Sequence, residues 1–120
     1  MKPNIIVFLT ASTNKCNTTV ALISNYIEEN YANTTLSVDS IAQAIHLSPN
    51  YISHLFKKEM NDAPSVYINK VRIEKAKILL RTGNRTLSDI AAAVGYSDSN
   101  YFMRIFKKLT GTTPSGYRRK

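Results

Sequence analysis

Residues 95–108 read GYSDSNYFMRIFKK, and much of this stretch has a counterpart fifty residues earlier in the chain. Asn50-Tyr51 matches Asn100-Tyr101, and LFKK at 55–58 matches IFKK at 105–108. Upstream, IAQAI at 41–45 matches IAAAV at 90–94 at an offset of forty-nine, so one residue is inserted near Ser99. The chain therefore contains two copies of one small unit, which are too few for a solenoid.

The apolar spacing in the first copy predicts a short helix, a tight turn and a second helix. Ser37 is the expected N-cap, the first helix ends at His46-Leu47, and Ser48 caps a second helix that has Pro49 at its first position. The side chains expected to be buried here are Val38, Ile41, Ala42, Ile45, Ile52, Leu55, Phe56 and Met60.

The second copy follows the same plan, and this arrangement is the helix-turn-helix motif. Thr86 and Asp89 resemble a capping box, and Gly95 allows a sharp turn because glycine takes positive φ without steric cost. Ser97 is expected to open the second helix, which ends at Gly111. The side chains expected to be buried are Leu87, Ile90, Ala91, Val94, Phe102, Ile105, Phe106 and Leu109.

Two more helices complete an all-α prediction. One runs from about Val20 to Tyr31, with Leu22, Ile23, Tyr26 and Ile27 facing inward. The other runs from Pro64 to about Arg81 and is apolar on two nearly opposite sides. One stripe is Val66, Ile73, Ala76 and Leu80, and the other is Tyr67, Ile68, Val71, Ile78 and Leu79. We interpret this helix as a rigid connector with one helix-turn-helix unit at each end, although the central helix of one undivided core has the same pattern.

Composition and charge narrow the class of protein. The 120 residues are 43% hydrophobic and 20% charged, as in globular domains. The single cysteine, Cys16, excludes an internal disulfide and fits a reducing, cytoplasmic compartment. Two histidines are too few for a metal site without converging carboxylates, so we expect no metal and no cofactor. The longest apolar run, residues 5–9, is far shorter than the ~20 residues of a membrane-spanning helix.

The positive charge is concentrated in one part of the chain. The formal net charge is +8, and residues 1–56 contribute −1 because they hold two basic and three acidic side chains, so residues 57–120 carry +9. An excess of this size indicates an anionic partner such as nucleic acid.

Residues 20–120 resemble the AraC/XylS-type bacterial transcription regulators. The most specific matches are residues 95–102, Phe106-Lys107-Lys108, Gly111, Thr113-Pro114 and Tyr117-Arg118, with residues 71–76 and Leu79-Leu80 similar to the family's connecting helix. The resemblance implies a seven-helix domain of two helix-turn-helix subdomains that binds asymmetric DNA sites, activates or represses transcription, and has RNA polymerase as a partner. The motif is most similar to output domains of response regulators or to sugar-responsive members.

The expected domain organisation follows from this alignment. Residues 1–19 resemble nothing in the family and are expected to be a poorly ordered linker or remnant. Residues 20–62 form the first subdomain, 63–82 the connecting helix and 83–120 the second subdomain. The fragment is expected to be monomeric in the cytoplasm, associated with the nucleoid, with any dimerisation through a domain that is absent from this sequence.

The helix after each turn is expected to enter the major groove of double-stranded DNA and read base edges. A connector of eighteen residues spans about 27 Å at ~1.5 Å per residue, so two such helices reach adjacent grooves ~34 Å apart if the DNA bends slightly. Arg104 is the strongest candidate, because arginine to guanine is the commonest specific contact. The base-reading candidates are Asn50, Ser53, His54, Ser99, Asn100, Met103 and Arg104.

Phosphate contacts are assigned to basic side chains farther along: Lys57, Lys58, Lys107, Lys108 and Arg118. Each assignment has a structural alternative. Asn50 and Asn100 also suit the free N–H groups of a helix start, and Tyr51 and Tyr101 suit half-buried packing. Arg72 is expected to pair with a carboxylate or to buttress a subdomain.

Other functions fit the sequence less well. It contains no Ser-His-Asp or Cys-His set, no paired carboxylates on one face and no glycine-rich phosphate loop, so we predict that the chain is not an enzyme. A DNA-repair methyl acceptor is disfavoured because Cys16 stands alone in the predicted linker. The main alternative is a basic adaptor that binds nucleic acid without sequence preference.

Overall fold

A computed structural model of the protein describes residues 15–119. Within this range the chain forms helices and no strand, which confirms the all-α prediction. The helices are α1 (Lys15–Asn30), α2 (Val38–Ile45), α3 (Pro49–Met60), α4 (Pro64–Thr82), α5 (Leu87–Ala93), α6 (Ser99–Thr110) and α7 (Pro114–Arg119). None of the described helices has the length and apolar character needed to cross a membrane.

Helix α1 begins earlier than the sequence predicts. Its first residue is Lys15, so residues 15–19 of the predicted linker are helical, whereas residues 1–14 of that linker lie outside the described range. The physical reason is that a formed helix adds each further residue at little cost, because only nucleation is expensive. Thr18 and Thr19 are partly buried in this added turn.

The chain divides into two compact units. Of the described residues, the first unit contains 15–29 together with Leu36–Val66, and the second contains Asn30–Thr35 together with 67–119. The predicted connecting helix therefore belongs to the second unit in all but its first turn. The short segment Asn30–Thr35, placed by the sequence in the first subdomain, also belongs to the second unit.

In the first unit the predicted caps are present. The Ser37 hydroxyl accepts from the backbone N–H of Ser40 at 3.1 Å, and the Ser40 hydroxyl accepts in turn from the Ser37 N–H at 2.9 Å, which makes a reciprocal capping box. Ser48 accepts from the Tyr51 N–H, and Pro49 occupies the first turn of α3. The buried apolar side chains of this unit are Val20, Ile23, Ile27, Ile41, Ala42, Ile52, Leu55 and Phe56.

The second unit contains a continuous apolar core. Its buried members are Ile73, Ala76, Leu80, Ile90, Ala91, Val94, Tyr96, Phe102 and Phe106. The rings of Phe102 and Phe106 meet edge to face with centroids 5.9 Å apart, and Phe106 meets Tyr117 of α7 at 5.6 Å. This geometry is favourable for aromatic pairs. The three aromatic rings therefore connect α6 to α7 through the core.

Some side chains that the sequence predicts to be buried are exposed. They are Leu22, Met60, Val66, Ile78 and Leu109. Met60 and Leu109 lie in the last turns of α3 and α6, where the chain is about to turn away. Val66 lies two helical turns before Ile73 on one stripe of α4, and Ile78 lies two turns after Val71 on the other, so each stripe is buried over only part of its length. Leu79, assigned to the second stripe, instead packs against the core that contains Ile73.

Arg72 of α4 makes buried polar contacts in the second unit. Its side chain is 8% exposed, with Nε donating to the Tyr31 carbonyl oxygen and Nη2 donating to that of Asn33, both at 2.9 Å. Its guanidinium carbon lies 5.2 Å from the centre of the Tyr96 ring. The sequence left two roles open for Arg72, and the structure gives it the buttressing role through backbone carbonyls.

Gly95 follows α5 at the turn and lies against the same contacts. It has φ +105°, and a Cβ at this position would clash with the Tyr31 carbonyl oxygen and lie 2.8 Å from Arg72 Nε. Gly111, after α6, also has positive φ (+83°), but a Cβ there has open space around it. Backbone conformation alone therefore favours glycine at residue 111, whereas conformation and close packing both favour it at residue 95.

We expect Gly95→Ala to lower the free energy of unfolding by about 3 kcal/mol or more, because it adds a clash to the cost of positive φ. Gly111→Ala is the matched control and carries only the conformational cost of ~1–2 kcal/mol. Urea denaturation followed by circular dichroism measures both. Equal losses for the two variants would contradict the close packing described for Gly95.

Candidate nucleic-acid interface

Helices α3 and α6 are equivalent elements of the two units. Each has twelve residues, and their first residues, Pro49 and Ser99, are fifty positions apart. Each ends at a residue with a left-handed backbone, Asn61 with φ 64° and Gly111 with φ 83°. The internal repeat in the sequence therefore corresponds to a repeat of structure.

The predicted base-reading residues of the first copy lie together on α3. Asn50 and His54 are exposed and Ser53 is partly exposed, on the side of α3 opposite the buried Ile52, Leu55 and Phe56. They line a shallow depression of about 710 Å³ together with Lys57, Lys58 and Ala63. Uncharged donors and acceptors therefore lie beside two lysines on one accessible surface of the first unit.

The equivalent face of α6 is accessible over most of its length. Asn100, Arg104, Lys107 and Lys108 are exposed, and Ser99 is partly exposed. Met103 differs, because it is partly buried and packs against the core of the second unit. It therefore offers less surface to a ligand than its position on the helix suggests.

Arg118 also differs from the four lysines with which the sequence grouped it. It is partly buried on α7, and its Nε donates to the Leu80 carbonyl oxygen at 3.3 Å. One terminal guanidinium nitrogen is buried without a hydrogen-bond partner. This placement supports a contact inside the second unit more than a phosphate contact.

The turn of the second copy is one residue longer than that of the first. Two residues, Tyr96 and Ser97, separate Gly95 from the N-cap of α6, which is Asp98. In the first copy only Leu47 separates the left-handed His46 from the N-cap Ser48. The prediction that Ser97 opens the helix is therefore wrong, because the insertion precedes the cap instead of following it. Asp98 Oδ1 accepts from the Asn100 N–H at 2.9 Å.

Tyr96, the residue after Gly95 in this turn, lies in the core, where sequence reasoning had assigned it no role. The side chain is 4% exposed, and its hydroxyl hydrogen-bonds Asn69 Oδ1 at 2.7 Å. Burial raises the pKa of Tyr96 far above its usual range, so the hydroxyl is protonated and donates this bond. Burial also lowers the pKa of Arg72, although an arginine stays charged at neutral pH. Two signs in the sequence indicate that the turns differ: the inserted residue, and His46 at the position of Gly95.

A further contact reaches the strongest base-reading candidate. The guanidinium carbon of Arg104 lies 5.4 Å from the centre of the Tyr101 ring. Tyr101 itself meets Tyr96 edge to face, with centroids 5.8 Å apart. Arg104 is thus exposed and lies beside an aromatic ring of the same helix.

Comparison with known proteins agrees with this arrangement. A family model described as a helix-turn-helix domain matches residues 41–120. The C-terminal domain of AraT, a response regulator from Geobacillus stearothermophilus, superposes with a TM-score of 0.84 and 32% identity, and the match covers 88% of each chain. The chain belongs to the AraC-type helix-turn-helix family.

Two curated relatives of this AraC-type domain are from Escherichia coli (strain K12). The HTH-type transcriptional regulator YijO is 46% identical over 98 residues, which are 82% of this chain and 34% of that protein. The arabinose operon regulatory protein is 37% identical over 93 residues, 78% of this chain and 32% of that protein. Both names describe regulators and not enzymes. The chain spans about a third of the length of these relatives.

We expect Asp98→Ala to lower the free energy of unfolding of the AraC-type domain by ~1 kcal/mol, because it removes the N-cap of α6. Ser97→Ala, one residue earlier, is the matched control and is expected to change it by less than ~0.5 kcal/mol, as for an ordinary surface position. Urea midpoints compare the two. A larger loss for the Ser97 variant would contradict the observed cap and favour the one predicted from sequence.

Proposed function

We propose that this domain is the DNA-binding part of a transcription regulator, and that it reads double-stranded DNA sequence-specifically with α3 and α6 in adjacent major grooves. The supporting observation is the repeat itself. Two equivalent twelve-residue helices each expose polar side chains at their starts and a Lys-Lys pair farther along. Polar groups near the start of such a helix suit base edges, and lysines along it suit phosphates.

The length of α4 supports the use of both helices by one chain. Its nineteen residues correspond to about 28 Å at ~1.5 Å per residue. This length approaches the ~34 Å between major-groove openings on one face of B-DNA, so a modest bend in the DNA completes the fit. A monomer then contacts two half-elements without a second copy.

The proposed roles follow exposure and chemistry. Arg104 donates to guanine, Asn50 and Asn100 bond adenine, and His54 and the partly exposed Ser53 and Ser99 supply adaptable polar contacts. Met103 contributes the accessible part of its side chain to a thymine methyl. Lys57, Lys58, Lys107 and Lys108 bind phosphates, which position the domain without reading sequence. Arg118 is the least favoured of the proposed phosphate contacts, because its side chain is partly buried against α4.

The proposed cellular location, protein partner and oligomeric state are inferred from the family. We place the regulator in the cytoplasm, on the nucleoid, with RNA polymerase as a partner. The domain is expected to bind as a monomer, and any dimerisation to require another part of the regulator. Size-exclusion chromatography with light scattering tests the monomer assignment directly.

Base reading by Arg104 is tested by Arg104→Lys. Lysine keeps the charge but cannot form the paired contact to guanine O6 and N7, so we expect a loss of ~1–3 kcal/mol of discrimination at one base pair. Affinity for random duplex DNA should stay nearly unchanged. Selection from a random duplex library supplies the preferred site, and competition titrations against that site measure the preference.

The same titrations separate the proposal from the nonspecific-adaptor alternative. An adaptor predicts equal binding to all duplexes, and no loss on Arg104→Lys beyond that expected from charge. If random-sequence competitor displaces the protein as well as the selected site does, sequence-specific regulation is refuted. Two half-elements about ten base pairs apart in the selected site support the use of both helices.

Phosphate binding by the lysine pairs is tested by salt dependence. If about six phosphates are neutralised, log K is expected to fall with log[salt] at a slope near −5, and Lys57→Ala with Lys107→Ala should reduce its magnitude by about 2. Lys77→Ala is the control, because Lys77 lies on α4 and already pairs with Glu74 at 2.9 Å. An equal change in slope for the control would contradict the assignment.

A further inference from the structure

Tyr101 and Arg104 form a pair on the proposed reading face of α6. They are three residues apart and therefore neighbours on the helix surface. The guanidinium carbon lies 5.4 Å from the centre of the Tyr101 ring, within the range in which a cation is attracted to an aromatic face. Tyr101 is 39% exposed and Arg104 is also exposed, so the pair lies at the surface.

The Tyr101 ring rests on a fixed support. It meets the Tyr96 ring edge to face, with an interplanar angle of 62° and centroids 5.8 Å apart. Tyr96 is itself held by its hydrogen bond to Asn69 and by the Arg72 guanidinium 5.2 Å from its ring centre. The surface pair is therefore continuous with a buried network that has little freedom to move.

A cation–ring contact is compatible with base reading by the same arginine. A guanidinium contacts a ring with its flat face, while its five N–H donors lie in its plane and remain free for guanine O6 and N7. A free arginine loses much rotamer entropy when it is fixed in a complex, and prior fixation reduces that cost. Tyr101 thus has the position and chemistry to restrict Arg104 before DNA arrives.

We propose that Tyr101 is a positioning residue that orders Arg104 for guanine and so sharpens base preference at the position Arg104 reads. This inference rests on the proposed function and adds a specificity-determining residue that does not itself read the base. The ring acts through the guanidinium, and the tyrosine hydroxyl is not needed for the effect.

The first copy supplies a matched control. Tyr51 occupies the position equivalent to Tyr101 and is 44% exposed, but the residue equivalent to Arg104 is His54. The residue equivalent to Tyr96 is Leu47, because its N–H bonds the Ala42 carbonyl as that of Tyr96 bonds the Ala91 carbonyl, but Leu47 is 37% exposed and carries no aromatic ring. Tyr51 therefore lacks both the support and the guanidinium that give Tyr101 its proposed role.

The experiment is a double-mutant cycle on the selected duplex and on duplexes changed at the base pair that Arg104 reads. Tyr101→Leu is expected to lower the preference for guanine by about two- to fivefold, the range for an exposed cation–ring contact. Tyr101→Phe keeps the ring and should keep the preference. Tyr51→Leu should leave the preference at this base pair unchanged.

The cycle is completed by Tyr101→Leu in an Arg104→Ala background, where no further loss is expected because the ring has no guanidinium to hold. Unfolding midpoints are recorded for each variant. If Tyr101→Leu unfolds, Tyr101→Met replaces it, since methionine retains apolar contact with Tyr96 but has no aromatic face.

Two results overturn the inference alone: an unchanged preference with Tyr101→Leu while Arg104→Ala abolishes it, or an equal loss with Tyr101→Leu in both backgrounds. A different result overturns base reading as well. If Arg104→Ala changes the preference at no base pair, then Arg104 does not read DNA and Tyr101 has nothing to position.

Discussion

The second unit depends on one buried guanidinium. Arg72 donates to two backbone carbonyls of the segment Asn30–Thr35 and lies over the Tyr96 ring. A buried charge is tolerated only where its donors are satisfied, and here neutral carbonyls serve in place of a carboxylate. Lysine cannot replace this geometry, because its ammonium is a compact point charge without the planar fork that spans two acceptors. Arg72 holds the segment before α2 to α4 through these two hydrogen bonds, and Lys75 of α4 adds a contact with the Tyr31 ring at 5.4 Å.

A chain of side-chain contacts connects Arg72 to the proposed reading face of α6. Arg72 and Asn69 fix Tyr96 from two directions, and Tyr96 supports Tyr101 beside Arg104. An exposed side chain on a surface helix usually samples several rotamers and pays entropy when it binds. In the role proposed for Tyr101, the buried network reduces that freedom through two aromatic rings, so that stability and recognition share residues in the second copy.

Much of the fold was predictable because its signals are local. The N-caps Ser37 and Ser48, the turn at Gly95 and the apolar spacing of α3 and α6 depend on neighbours within four residues.

The predictions that were wrong depend on contacts between residues that are far apart in the sequence, or on the geometry of a turn. Met60 and Ile78 are exposed, and whether such a side chain is buried depends on where a neighbouring element ends. The apolar periodicity of one helix gives no information about that point. The N-cap Asp98 was not predicted, because the sequence alignment of the two copies does not show which residue of the turn is the inserted one. That position depends on the backbone geometry of the turn. The candidate reading residues were predictable as a helix face, but the Tyr101–Arg104 contact was not, since spacing shows proximity and not side-chain direction.

The two turns show why similar sequences serve different structural needs. His46 adopts a left-handed backbone with φ 60°, as Gly95 does with φ 105°, so the first copy accepts a non-glycine residue where the second does not. Histidine tolerates this conformation at modest cost when nothing crowds its Cβ. At Gly95 the Tyr31 carbonyl and the Arg72 side chain occupy the space that a Cβ needs. Glycine at residue 95 is therefore favoured both by the backbone conformation of the turn and by the close packing around it. In the second copy the turn also packs against the contacts that hold Asn30–Thr35, because Gly95 lies against the Tyr31 carbonyl and Arg72, and the next residue, Tyr96, contacts Arg72 through its ring.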